Sequence, residues 1–267
     1  MIMPLLVHGI IYVFIGVFAG LMAGMFGVGG GLVVVPGLVF IFQQTDFIPN
    51  NILMYMAVGT SLAAMIITSQ ASVKAHYKLG SILWPVFHRL WPSLVIGTVV
   101  GSIAAAWIPT YWLRTFFALF LLFVSIRMLT DKQLERPQQF PRDWINRFIN
   151  GLIGTNSGLL GVGGGILVVP YLAYCGVPAR QIAAISNLCA LSIALTGTVI
   201  FMITGYHATA DIAYTTGYVY WPAVLLIGIP SSLMAPVGAK LNYKLPVHQL
   251  KYGFIIILIL TALKMLF

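Results

Sequence analysis

Charge is scarce in this chain. Of 267 residues, 14 are Lys or Arg and five are Asp or Glu, 7% in all, while 60% are hydrophobic. Soluble domains carry roughly a quarter charged residues, so a soluble fold is excluded and an integral membrane protein is indicated. The acids are Asp46, Asp131, Glu135, Asp143 and Asp211, all between apolar runs. A carboxylate proton relay inside the membrane therefore has nothing to be built from. Cysteine is nearly absent too. Cys175 and Cys189 lie in apolar sequence without metal-ligand spacing, so no disulfide framework and no metal site are expected. The histidines are scattered, with His76 and His88 expected in one interfacial loop. Ser69, Ser157 and Ser192 have no His or acid nearby in sequence, so no catalytic residue is assigned. The net charge of +9 would suit nucleic acid, but the basic residues stand singly between apolar runs. The bilayer, not nucleic acid, is the expected partner. No Lys or Arg precedes the first apolar run, which reads as a membrane segment and not as a leader.

What the chain has instead is apolar length and glycine. Apolar runs cover 5–26, 32–43, 52–73, 84–107 and 112–129, then 145–160, 166–175, 182–204, 217–237 and 250–267. A membrane helix needs about 20 such residues. The expected fold is all-α, with about ten helical segments, five in each half. A thirteen-residue block, Met25 to Gly37, returns 134 residues later as Leu159 to Tyr171, each copy holding Gly-Val-Gly-Gly-Gly and a proline. Thr60-Ser61-Leu62 returns as Ser186-Asn187-Leu188 at an offset of 126, and Trp84-Pro85 as Trp221-Pro222 at 137. The division read from these matches is a first membrane repeat at 1–130, a cytoplasmic linker at 131–144 and a second repeat at 145–267.

Basic loops orient the repeats. Placing the loops near Lys78, Arg136, Arg180 and Lys244 inside leaves only Arg114 and Lys264 of the 14 basic residues outside. Loops 43–51 and 205–216 then lie outside. Each half crosses an odd number of times, whether the glycine segments are re-entrant or full crossings, so the repeats are inverted. Inverted repeats suit alternating access, and Gly-broken segments in matching positions point to a transport site.

The segments after the glycines are too short to span. Each reads as a half-helix starting inside the membrane, with free N–H donors and roughly half a positive charge at its N-terminus. Two such starts aimed at one point would bind a small oxyanion. The candidate site is Gly27, Gly29, Gly30 and Gly31 with Gly161, Gly163, Gly164 and Gly165, lined by Thr60, Ser61, Ser186 and Asn187. Two readings stand for the glycines, substrate donors or close helix packing. Two stand for the polar side chains, substrate contacts or interhelical bonds. Asn156 and Ser157 precede the second cluster where Met22 and Ala23 precede the first, so a site reaching those residues is asymmetric. The block lacks the Lys of a P-loop, and no soluble β-α-β unit surrounds it. No cofactor is expected. Gly97 and Gly228, outside the motif, are expected to tolerate substitution.

The glycine blocks, the run Val58-Gly59-Thr60-Ser61-Leu62 and the segment Ala75-His76-Tyr77-Lys78-Leu79-Gly80 together resemble the sulfite exporter TauE/SafE family over nearly the whole chain. The resemblance implies a multi-pass protein of the prokaryotic cytoplasmic membrane. It would be a secondary transporter, in the export direction, of small sulfur-containing anions such as sulfite or organosulfonates. An anion channel and an importer of another small organic anion remain open beside it. Ser186-Asn187 departs from the family's Thr-Ser. An inside-negative potential favours exit of an anion by about 2.3 kcal/mol per charge per 100 mV, so no coupling ion is required.

Overall fold

The computed structural model describes residues 2–27, 29–45, 48–78, 80, 82–129, 140–244 and 248–266. The protein is an all-α membrane protein. Its helices are α1 (Ile2–Phe26), α2 (Gly31–Phe42), α3 (Leu53–Lys78), α4 (Trp84–Ala105), α5 (Thr110–Leu129), α6 (Asp143–Leu160), α7 (Gly165–Tyr174), α8 (Ala179–Thr204), α9 (Trp221–Lys244) and α10 (His248–Leu266). Proline marks several starts: Pro85 and Pro222 sit in the first turns of α4 and α9, and Pro178 caps α8. There the missing N–H costs nothing and the fixed φ suits the helix. Among the described residues, six helices are long and apolar enough to cross a membrane. The protein's exterior is apolar, with Phe14, Ile96 and Leu233 exposed. A lipid-facing surface explains such exposure, which water would penalise.

The sequence places a helix start at 217, and the structure does not. Thr215–Thr216 (β1) and Val219–Tyr220 (β2) form a short antiparallel hairpin, and α9 begins at Trp221. Gly217 turns the hairpin at φ 55°, a conformation that favours glycine. The offset of 137 that aligns Trp84 with Trp221 also aligns Gly80 with Gly217, and Gly80 is left-handed too, at φ 65°.

The main helix pairs join the two halves of the chain. α1 packs along α9, α4 along α6, α3 against α8 and α5 against α10. Exchanging each helix for its counterpart five places on leaves this set of pairs unchanged, so the packing has a two-fold pattern. Glycine sets the closest crossings. Gly16, Gly20 and Gly24 face Ile227, Ser231 and Ala235, and Gly97 and Gly101 face Gly151 and Thr155. Residue numbers rise together in both series, so each pair runs parallel. Spaced four apart, these glycines form one small face per helix that lets backbones touch. Gly97 is therefore not the tolerant position expected: its missing side chain is where the Gly151 carbonyl sits. The atoms nearest to a Cβ on Gly228 belong to the Ile67 side chain, which can move.

Arg114 and Lys264, the two exceptions to the basic-loop pattern, meet one another. Arg114 donates to the Lys264 carbonyl at 3.1 Å, and Lys264 Nζ lies 3.7 Å from the centre of the Phe40 ring. His76 also differs from expectation. It lies in the last turn of α3, fully buried, with Nε2 3.4 Å from the Gly24 carbonyl. α3 runs further than its apolar stretch, and the chain of α1 covers its polar end.

Candidate functional site

α2 has 12 residues and α7 has 10. At 1.5 Å per residue these are roughly 18 and 15 Å long, against a hydrocarbon core of about 30 Å. Both double back on the helix before them. Gly30 lies against Ala19 and Gly37 against Ile15, while Gly164 lies against Ser157 and Ile153. The reversals depend on left-handed backbone at Gly27, Gly29 and Gly30 (φ 71°, 75° and 84°) and at Gly161 and Gly164 (φ 70° and 65°). An L side chain there costs roughly 1–2 kcal/mol. Gly163 is not among the left-handed glycines, so the two turns are not identical.

Each short helix begins with a bare N-cap. Gly30 and Gly164 have no side chain to cap α2 or α7. The first intrahelical bonds run from Val33 and Val34 to the Gly30 carbonyl and from Leu167 and Val168 to the Gly164 carbonyl. The N–H groups of Gly31 and Leu32, and of Gly165 and Ile166, thus precede the helical ladder. Pro36 and Pro170 lie inside the two helices and cannot donate to the carbonyls of Leu32 and Ile166. Both helix starts are buried, and they meet. A Cβ built on Gly29 would lie 3.3 Å from Gly163 Cα, and one on Gly31 only 2.5 Å from the Gly161 carbonyl oxygen. Two positive helix ends are thereby brought together inside the protein.

The four polar side chains are all fully buried at this junction, and each is engaged with backbone. Ser61 donates to the Gly161 carbonyl at 3.1 Å, and Ser186 donates to the Gly27 carbonyl at 2.7 Å. Each hydroxyl braces the glycine turn of the other half. Asn187 Nδ2 donates to Ala23 and Ala183, and its Oδ1 is buried with no hydrogen-bond partner. Thr60 Oγ1 accepts from the Tyr220 N–H at 3.0 Å. The contacts pair Ser61 with Ser186, and Val58 against Gly161 with Ala183 against Gly27. Both pairs have an offset of 125, one residue from the register read off the sequence. Ser157 is buried beside Gly164, whereas Asn156 is exposed.

Sequence reasoning missed the hairpin's part in this junction. Tyr218 and Val219 are buried, the Tyr218 carbonyl sits where a Gly59 side chain would be, and Tyr220 stands edge-on to Phe42 with ring centres 6.0 Å apart. The alternation in Thr215 to Tyr220 around Gly217 is the signal that could have found it. Met65 and Ala190, which close over Gly29, carry no such signal. Thr60→Val should strand the Tyr220 N–H and lower stability by about 1–3 kcal/mol. Thermal unfolding checks this, with Thr60→Ser expected to restore most of the loss.

Among the described residues no group of three or more His, Cys, Asp or Glu could hold a metal. The profile of the sulfite exporter TauE/SafE family matches residues 12–265. A protein of Haemophilus influenzae named as a probable membrane transporter is 33% identical over 94% of this chain and 95% of its own length. One of the same description from Methanocaldococcus jannaschii is 31% identical over 100% of this chain and 96% of its own. The probable membrane transporter protein YunE of Bacillus subtilis is 24% identical over 97% of both chains. No solved structure matches. With its family profile spanning both glycine turns and the helices that clasp them, this multi-pass membrane protein belongs to the sulfite exporter TauE/SafE family of membrane transporters.

Proposed function

We propose that this protein is a secondary transporter that carries small sulfur-containing oxyanions, such as sulfite or organosulfonates, out of a prokaryotic cell across its cytoplasmic membrane. The observation that carries the reading is the meeting of two uncapped, buried helix starts at Gly29 and Gly163. Backbone donors attract an anion without a buried Lys, whose desolvation would cost several kcal/mol. The site is formed by Gly27, Gly29, Gly30, Gly31, Gly161, Gly163, Gly164 and Gly165. Ser61 and Ser186 hold the turns in shape, and Thr60 and Asn187 stand beside them. Because each half braces the other's turn, a shift of one half moves both sets of donors. That is the coupling alternating access needs.

Proteoliposomes loaded with sulfite should release it faster than protein-free vesicles, saturably and faster when the loaded side is negative. Absence of any flux above the protein-free control would reject the function, and unsaturable flux would make it a channel. The division into inverted repeats joined by the 131–144 linker is part of the same proposal. Cysteines placed at Lys78 and Asp211 should label from opposite faces of the membrane. Labelling of both from one face would reject the inversion. Positions 46 and 136 belong to the same topology but lie outside the described residues.

A further inference from the structure

We propose that the cleft between α4 and α6 holds the phosphate of an anionic bilayer lipid. The cleft encloses about 320 Å³ and changes character along its length. One end has His88, Arg89, Asp143, Asn146 and Arg147; Pro92, Ser93 and Ile96 continue it one to two turns further along α4. Ile96 is 66% exposed, and Leu152 on α6, the residue after the Gly151 that faces Gly97, is exposed too. Exposed indoles lie close to this end: the Trp84 ring centre is 6.2 Å from that of His88, Trp91 follows Arg89 by two residues, and Trp144 follows Asp143 directly. Tryptophans of this kind mark the headgroup level of a bilayer. A basic rim at headgroup height above an apolar, outward-facing wall matches a phospholipid, with the phosphate at the arginines and an acyl chain along Ile96.

The charges fit one phosphodiester. Arg89 is held in place: it donates to Asp143 Oδ1 at 2.6 Å and to the Pro141 carbonyl at 3.3 Å, and its guanidinium lies 5.0 Å from the Phe140 ring centre. Arg147 stands one turn beyond Asp143 and has no ion pair among the described residues. Two guanidinium groups against one carboxylate leave a single positive charge. Guanidinium matches phosphate oxygens bidentately, and basic pockets between membrane helices suit anionic headgroups. A free oxyanion offers the same oxygens but gains nothing from the apolar wall.

Native mass spectrometry of the full chain in mild detergent tests this, with phosphatidylglycerol and phosphatidylcholine added in equal amounts. Phosphatidylglycerol should be retained preferentially, and Arg147→Gln should lower its retention about fivefold, the factor expected for one basic residue near an anionic headgroup. Arg147→Lys should keep most of it. Ile96→Trp, a change at an exposed position, should lower retention by filling the apolar end. Equal retention of the two lipids, or retention unchanged by both Arg147→Gln and Ile96→Trp, would overturn the proposal. Inorganic phosphate should fail to displace the lipid; displacement at matched concentration would instead assign the cleft to free oxyanions. If Arg147→Gln does not fold, the Ile96 variant and the phosphate competition decide.

Discussion

Changing both Gly30 and Gly164 to alanine should remove sulfite flux while leaving a folded protein. These residues cap α2 and α7 at φ 84° and 65°, where each added Cβ costs roughly 1–2 kcal/mol. The neighbours can give way in part. A Cβ on Gly164 meets the tip of Ile193 at 2.7 Å and the Ser157 hydroxyl at 2.9 Å, and one on Gly30 meets the Ala19 carbonyl at 3.2 Å. The strain is relieved by rotating the turn, which swings the N–H groups of Gly31 and Gly165 away from the shared point. Hydrogen bonds to a charged group contribute about 1.5–3 kcal/mol each, so losing one from each helix should slow transport by roughly a hundredfold or more. Gly9, where an added Cβ meets nothing within 4 Å, serves as the neutral control. Flux in proteoliposomes and a melting curve on the same preparation separate binding from folding. Normal flux from the folded double variant would make the motif a packing device.

The second large effect concerns folding. Gly20→Leu or Gly97→Leu should abolish the native state in detergent, seen as loss of a single size-exclusion peak and of cooperative melting. The space beside Gly20 holds the Ser231 backbone, and that beside Gly97 holds the Gly151 carbonyl. Neither can move as a side chain does. A whole helix would have to shift, so the cost exceeds the roughly 1–3 kcal/mol of overpacking that side chains can absorb and becomes comparable with a total stability of roughly 5–15 kcal/mol. Gly9→Leu should melt as the parent does. If Gly97→Leu behaved like the parent, α4 and α6 would not approach through their glycines, and the parallel pairing of the halves would have to be redrawn.

The Gly97 comparison shows where the sequence stopped. Motif membership singled out Gly30 and Gly164. The four-residue spacing of Gly97 and Gly101, which Gly228 does not share, marks a helix face open to close approach, but not that Gly151 and Thr155 are what approach it. The polar matches behaved alike. Thr60-Ser61 and Ser186-Asn187 were legible as buried polar positions in apolar helices. That Ser61 serves Gly161 and Ser186 serves Gly27 requires knowing which helix crosses which turn. A one-residue shift of register is invisible until those contacts exist.

The sequence by itself determined the membrane class, the ten helical segments, with only the expected C-terminal ends of α3 and α9 falling well short of Lys78 and Lys244, the two short helices and the paired glycine turns. These follow from local physics: apolar length sets which segments enter a bilayer, and glycine and proline set where a helix stops or starts. Only the tertiary structure decided that α1 lies along α9 and α4 along α6, that residues 215–220 form a hairpin reaching Thr60, that His76 is buried, and that the two helix starts touch. Those features depend on approaches between residues more than 50 positions apart, and in several cases more than 100. The composition of a segment records that it can be approached closely, but not by which partner.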